Sequence, residues 1–288
     1  MSAQGVTRPL TLGDLATKKD CREPIVMVTA YDHPSAQIAE QAGVDMVLVG
    51  DSAAMTVLGY PSTVPVTIDE MLMLTKAVRR GLSRALLVGD LPFGSYEASD
   101  SLAVQTAQRF VKEAGCDLVK IERGGTTVER ARAIAAAGIP VVGHVGLTPQ
   151  SVTALGGYRA QGRTAEAALA VIDDALALQE AGCALIVVEA VPSEVTSLLV
   201  ERLLIPVIGI GAGADADGQV LVWHDLLGIY DGPAAKFVKR YAEVRAASLA
   251  GVAEYAREVR SGAYPAPEHG YGVPADEVEK LKELLAAR

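Results

Sequence analysis

The stretch V-D-M-V-L-V-G-D-S, Val44–Ser52, is an apolar run the length of one strand, closed by a glycine, an acid and a hydroxyl. Side chains alternate along a strand, so Val47, Val49 and Asp51 share one face and Met46, Leu48 and Gly50 the other. Apolar residues on both faces suit a parallel sheet covered by helices. Its last residue, Asp51, is then delivered to the sheet rim, where α/β proteins place their chemistry. The same arrangement recurs in L-L-V-G-D-L at Asp90, L-V-K-I-E-R at Glu122, V-V-G-H at His144 and I-V-V-E-A at Glu189.

Working outward, the segments that precede strands nearly repeat: Q-A-G-V-D, E-A-G-C-D, A-A-G-I-P and E-A-G-C-A. Repeated βα units make a parallel sheet, and about eight of them close into a (β/α)8 TIM barrel. Polar strand ends along the whole chain favour that barrel over an open doubly wound sheet with one switch point. The pattern predicts strands at Pro24–Ala30, up to Asp51, Ala85–Asp90, Leu118–Glu122, Pro140–His144, Ala184–Glu189 and Pro206–Ile210, with an eighth at Val220–Trp223. Thr67-Ile-Asp-Glu70 and Thr126-Thr-Val-Glu129 are capping-box candidates for helices. Long polar connections follow Ser52 (to Val66) and His144 (to about Thr164). The expected division is a lead-in at 1–23 with a helical candidate at Leu10–Lys18, a barrel at 24–262, and a C-terminal break and helix at 263–288. Helix is expected over Ala234–Ser261 and Ala275–Ala287.

The chain has 288 residues, half hydrophobic but only 5% aromatic, and a formal charge of −9. An acidic chain argues against nucleic acid and anionic membrane as partners. No run approaches the ~18 apolar residues of a spanning helix, and the N-terminus shows no secretory h-region. Cys21, Cys116 and Cys183 form no C-x-x-C pair, so the expected setting is a reducing, cytoplasmic one.

Asp51, Asp90 and Glu122 end three successive strands. Converging on a rim, such carboxylates are costly unless protonated or holding a cation. Oxygen-only donors suit Mg²⁺ or a similar hard ion; taken singly, each acid serves equally as a helix cap or a partner for a rim arginine such as Arg123. Lys120 and Glu122 share the barrel-facing side, with Val119 and Ile121 towards the helices. Lys120 reads as an internal ion-pair partner, an anion binder or a Schiff-base lysine. Glu189 reads as a general base with a pKa raised by partial burial, or as a cap acid ahead of Pro192. His144 is a rim histidine or a substrate hydrogen-bonder. G-I-G-A-G at Gly209–Gly213 fits either a phosphate turn or close packing on a ligand.

With these stretches in hand, the chain closely resembles the ketopantoate hydroxymethyltransferase family. The matching segments are V-T-A-Y-D (28–32), V-G-D-S (49–52), G-Y-P-S-T-V-P-V-T (59–67), D-L-P-F-G-S-Y (90–96) and V-K-I-E (119–122). They continue with G-H-V-G-L-T-P-Q-S-V (143–152), E-A-V-P (189–192), I-G-I-G-A-G (208–213) and D-G-Q-V-L-V-W-H-D-L-L-G (217–228). The resemblance implies a barrel of the phosphoenolpyruvate/pyruvate group. It would transfer a hydroxymethyl group from 5,10-methylenetetrahydrofolate to the keto acid 3-methyl-2-oxobutanoate, giving ketopantoate in pantothenate and coenzyme A biosynthesis. It further implies Mg²⁺ at Asp51, Asp90 and Glu122, and keto-acid binding at Asp51, Ser52, Asp90, Lys120 and His144. Glu189 would be the proton acceptor in an enolate mechanism, in a cytoplasmic homo-oligomer, commonly a decamer.

Two departures stand out. Ala53-Ala54 replaces a usual Leu-Gly pair, so a Cβ at 54 is expected to disturb the loop if that position has positive φ. Arg123 is inserted before Gly124-Gly125, where it is expected to alter the turn and to compete for a rim acid. The rival readings are a carbon–carbon or carbon–phosphorus lyase of the same barrel group, which would need a cysteine in a mobile rim loop, and a metal-binding barrel with reduced turnover.

Overall fold

The computed structural model describes residues 8–232 and 235–288; residues 1–7 of the expected lead-in, and the expected helix start at Ala234, lie outside them. Eight strands form a closed barrel, each parallel to its neighbours, with β8 pairing back on β1. They are β1 Ile25–Thr29, β2 Met46–Val49, β3 Leu86–Asp90, β4 Leu118–Glu122, β5 Val141–Gly146, β6 Leu185–Glu189, β7 Val207–Ile210 and β8 Gly218–Leu221. Helices are α1 Leu12–Asp20, α2 His33–Gln41, α3 Ala53–Thr56, α4 Ile68–Arg79, α5 Asp100–Ala114, α6 Thr127–Ala136, α7 Ala165–Glu180, α8 Ser193–Val200 and α9 Trp223–Leu226, then α10 Val244–Ser261 and α11 Ala275–Ala286. The chain divides into two compact units after Tyr241, and the second, Ala242–Arg288, contains α10 and α11. Among the described residues no helix is long and apolar enough to cross a membrane.

The alternation read from the sequence sorts the core into two layers. Met27, Leu48, Val88, Leu118, Val142, Val187 and Ile208 fill the barrel interior. Val28, Val47, Val119, Ile121, Ile186 and Val188 pack outward under the helices. The exact local fit shows at Gly89, one residue before Asp90. A Cβ there would stand 2.5 Å from the Phe110 ring and 2.7 Å from Cys116 Sγ, so only glycine lets α5 lie this close to β3.

α1 closes the N-terminal end of the barrel. A reciprocal Thr11–Asp14 capping box starts it, and its buried Leu15 joins the interior cluster. Lys19 reaches Asp217 at 2.7 Å, while Asp217 also accepts the N–H of Val207, which opens β7. Glu40 serves the same end of the sheet, accepting the N–H groups of Ser83, Arg84 and Ala85 and the Ser83 hydroxyl. Burial pushes its carboxyl up, but these donors outweigh burial and hold it below the usual range. A lowered folded pKa stabilises at pH above the unfolded value, and the benefit is lost as pH falls through the folded value. Glu40→Gln is therefore expected to cost about 0.5–1 kcal/mol at pH 7, solvent screening part of the effect, with the gap to the parent protein closing as pH falls below the ordinary carboxylate range in urea titrations. A pH-independent gap would contradict this.

Two expectations shift. The eighth strand begins at Gly218 rather than Val220, because Gly218 pairs with both Ile25 and Ile208; a Cβ there would lie 2.4 Å from the Ile25 carbonyl oxygen. Trp223, expected inside the strand, instead starts α9 and donates its N–H to Thr29 Oγ1. The expected helix over Ala234–Ser261 begins only at Val244.

Candidate active site

The strand ends converge at the C-terminal mouth of the barrel. Asp90, Lys120, Glu122, His144 and Glu189 sit on interior positions of β3 to β6, in register with Val88, Leu118, Val142 and Val187. Asp51 differs. By alternation it belongs with the outward-facing Val47 and Val49, but β2 stops at Val49 and the chain turns into α3. The turn brings the Asp51 N–H to Asp90 Oδ2 at 3.0 Å and its carboxylate into the mouth.

Asp51, Asp90 and Glu122 are all buried, and each offers an oxygen within 4.8 Å of the other two. Lys120 lies among them, with Nζ at 2.8 and 2.9 Å from the two Asp90 oxygens and 3.1 Å from Glu122 Oε1. His144 Nδ1 donates to the same Glu122 oxygen at 3.1 Å. Its Nε2 lies 3.3 Å from Glu189 Oε2 without hydrogen-bond alignment, and the Glu189 side chain is 15% exposed.

The electrostatics follow from three acids facing two bases in a water-poor space. Burial, then Asp90 and Glu122, push the Asp51 carboxyl well above its ordinary value against Lys120 and Gln150. Burial also raises Asp90, opposed by Lys120. Burial acts the same way on Glu122, but Lys120 and His144 overcome it and hold that carboxyl at about 2. Burial disfavours the Lys120 ammonium, yet Asp90, Glu122 and Asp51 drive its pKa well up. His144 is raised to about 9, because Glu122 and Glu189 outweigh burial and the Lys120 charge. A carboxylate forced upwards by its own neighbours is what an added cation relieves. Three buried oxygen donors with no sulfur donor suit a hard divalent ion.

The Ser52 hydroxyl, 2.8 Å from Tyr31 Oη, stands beside this cluster in sequence at the start of α3. Sequence reasoning gave no role to Tyr31, Tyr96 or Gln150, although all three lie inside quoted motifs. Gln150 Nε2 donates to Asp51 Oδ2 at 3.0 Å, and its main-chain N–H donates to Glu122 Oε2 at 3.0 Å. The signal available was position alone: V-T-A-Y-D, D-L-P-F-G-S-Y and T-P-Q-S-V each lie at or just past a strand end.

Ala54 fits without strain in a helix, whereas Arg123 takes up a strained turn. Ala53 and Ala54 are fully buried in α3, so the Cβ of Ala54 is packed in the core. Arg123 is exposed, and its charge acts on Asp174. Its φ is +80°: the N–H stays paired with the His144 carbonyl at 2.9 Å while the chain turns towards Gly124, where a Cβ would overlap Asp174 at 1.9 Å. Left-handed backbone costs a non-glycine residue about 1–2 kcal/mol. Arg123→Gly is therefore expected to stabilise by about 0.5–1 kcal/mol after the extra chain entropy of glycine. Urea unfolding checks this, and a destabilised variant would count against strain at this turn.

The cysteines lie away from the rim loops. Cys116 is buried before β4 and Cys183 before β6, while Cys21 is exposed at the end of α1.

Known proteins place this arrangement. Residues 9–267 match the sequence model of ketopantoate hydroxymethyltransferase. Proteins named 3-methyl-2-oxobutanoate hydroxymethyltransferase are similar over nearly the full length. That of Oleidesulfovibrio alaskensis is 49% identical over 286 residues, covering 99% of both chains. That of Acidothermus cellulolyticus is 52% identical over 270 residues, covering 94% of this chain and 99% of the relative. Among solved structures, phosphonopyruvate hydrolase in complex with oxalate and Mg²⁺ aligns with TM-score 0.60 at 14% identity, covering 96% of this chain and 98% of the other. 2,3-Dimethylmalate lyase, of the PEP mutase/isocitrate lyase superfamily, aligns with TM-score 0.56 at 15% identity, covering 95% and 98%. At that identity these two structures share the barrel fold.

Proposed function

The chain belongs to the ketopantoate hydroxymethyltransferase family, and on that premise we propose that it is a metal-dependent enzyme of pantothenate synthesis, transferring a hydroxymethyl group from 5,10-methylenetetrahydrofolate to 3-methyl-2-oxobutanoate. The observation that carries the reading is the buried cluster of Asp51, Asp90 and Glu122 with Lys120, His144 and Glu189 around it.

In this reading the three acids hold Mg²⁺ or a similar divalent ion. Bound there, the ion supplies positive charge beside the keto oxygen, which favours the enolate. The remaining work falls to the chain. Glu189 accepts the C3 proton, since it is the acid of the group with solvent access and a general base must reach its proton. His144, hydrogen-bonded to Glu122 and 3.3 Å from Glu189, orients Glu122 and sets its charge beside Glu189. Lys120 and Ser52 receive the substrate carboxylate. The Lys120 ammonium, shared by Asp90 and Glu122 in this structure, would be available to that carboxylate if a cation balanced those acids. The buried walls exclude water, which strengthens each of these charge interactions.

We assign the folate donor on the family resemblance, with loops 52–66 and 145–163 and the Tyr/Pro-rich 263–274 as its candidate contacts. A cytoplasmic homo-oligomer is part of the same proposal, and sedimentation of the full chain tests the assembly. The lyase alternative loses support, because its cysteine would have to come from a rim loop and all three cysteines lie elsewhere.

The test is exchange of the C3 proton of 3-methyl-2-oxobutanoate in D₂O, followed by NMR with and without Mg²⁺. Metal-dependent exchange, followed by product formation on adding 5,10-methylenetetrahydrofolate, is the expected result. A folded, metal-loaded protein giving no exchange would overturn the proposal.

A further inference from the structure

The residue that ties the acidic cluster together is not itself one of the acids. Gln150 sits in the short 3₁₀ turn Pro149–Ser151 after β5 and is 5% exposed. Its main-chain N–H donates to Glu122 Oε2 at 3.0 Å. Its side-chain Nε2 donates to Asp51 Oδ2 and to the Leu91 carbonyl, both at 3.0 Å. Its Oε1 accepts from the Tyr96 hydroxyl at 2.6 Å. Tyr96 is 1% exposed, and its oxygen accepts the N–H of Glu122 at 3.2 Å.

The orientation of the amide is dictated by this chemistry. Nε2 faces the Leu91 carbonyl, which only accepts, as well as the Asp51 carboxyl, so the nitrogen must stand there. A tyrosine hydroxyl has one hydrogen. With the Glu122 N–H pointing at the Tyr96 oxygen, that hydrogen is free to go to Gln150 Oε1. Reversing the amide would set an oxygen against the Asp51 carboxylate and the Leu91 carbonyl, losing both bonds in a buried space.

We propose that Gln150 is the positioning residue of the cation site and that Tyr96 locks its amide. Together they fix the spacing of Asp51 and Glu122 across the mouth without touching cation or substrate. This rests on the reading that the three carboxylates hold a divalent ion. Residues that orient metal ligands typically change metal affinity by about 10–100-fold when removed.

Two variants of the full chain separate this role from plain packing. Gln150→Met keeps the volume and the main-chain bond to Glu122 but loses the amide. Tyr96→Phe keeps the ring and removes the hydroxyl, and with it both the lock on the amide and the acceptor for the Glu122 N–H. The readouts are Mn²⁺ dissociation constants by EPR on metal-stripped protein, melting temperature in EDTA, and C3 exchange across a metal titration. Each variant is expected to weaken Mn²⁺ binding about 10–100-fold, with exchange recovering towards the parent rate at saturating metal. The double variant should lose less than the product of the two single effects, since both act through one amide. Lower melting temperatures with parental Mn²⁺ affinity would show a structural role and overturn the inference. If Gln150→Met does not fold, Tyr96→Phe decides alone. If the parent binds no Mn²⁺, the carboxylate–cation reading itself falls and takes this inference with it. Tight parental binding with unaltered variants overturns the inference and leaves that reading standing.

Discussion

Glu189→Gln is expected to remove C3 proton exchange of 3-methyl-2-oxobutanoate, lowering its rate by about 10²–10⁴-fold, the usual contribution of a positioned general base. The amide is nearly isosteric and keeps a polar group near His144 Nε2, but it has no basic lone pair to take a proton. Glu189 is also distinct from the three clustered acids, so Mn²⁺ affinity should stay at the parental value. That combination separates a base from a ligand. A variant that loses metal binding along with exchange would place Glu189 in the cation site. One that exchanges at the parental rate would return the base role to another group. The experiment is a D₂O time course by NMR at saturating Mg²⁺, with an EPR titration of Mn²⁺ on the same preparation.

The second large effect is on stability. Lys120→Met removes the cation bonded to Asp90 and Glu122 at 2.8–3.1 Å, leaving three buried acids with His144 as the remaining base in the cluster. Breaking a buried pair from one side typically costs about 3–5 kcal/mol, because the surviving charge is stranded without water. For a chain of this size that corresponds to a drop in melting temperature on the order of 10 °C. The loss should appear in EDTA and shrink as Mg²⁺ is added. An ion that binds only the folded state stabilises by mass action, and the variant's cluster has more uncompensated negative charge to offer it. Equal melting temperatures of variant and parent in EDTA would show that Lys120 carries little of the charge balance. A deficit that Mg²⁺ does not narrow would argue that the cation sits elsewhere. Exchange should remain low even at full metal occupancy, because the substrate carboxylate loses its ammonium partner.

Much of this was legible in the chain itself. Alternation is a local property of a strand, so Val119 and Ile121 against Lys120 and Glu122 could be assigned to opposite faces from sequence, and the two core layers agree. The repeated apolar run ending in a polar residue placed Asp90, Glu122, His144 and Glu189 at one end of one sheet. The G-x-x-type helix exits set the βα period and hence the barrel. Local rules run thin at β8. There the glycine-rich G-A-D-A-D-G stretch carries almost no apolar pattern, and the strand begins at Gly218, two residues before Val220. What decided it was the space against Ile25 and Ile208, which exists only once the barrel closes.

The same distinction runs through the site. Sequence alone determined the barrel, the strand ends and the kinds of group they carry, because these follow from residue type and from periods of two and of one βα unit. It set Asp51 at the rim with Asp90 and Glu122, as found, but alternation shares its face with the outward Val47 and Val49, and it is the early end of β2 and the turn into α3 that bring the carboxylate inward. It could not see that Gln150, 99 residues beyond Asp51, completes the cluster, nor that Tyr96 fixes its amide. Hydrogen bonds between such distant residues have no period to betray them. They are set by closure of the barrel, which buries polar atoms together and leaves each to find its partner inside.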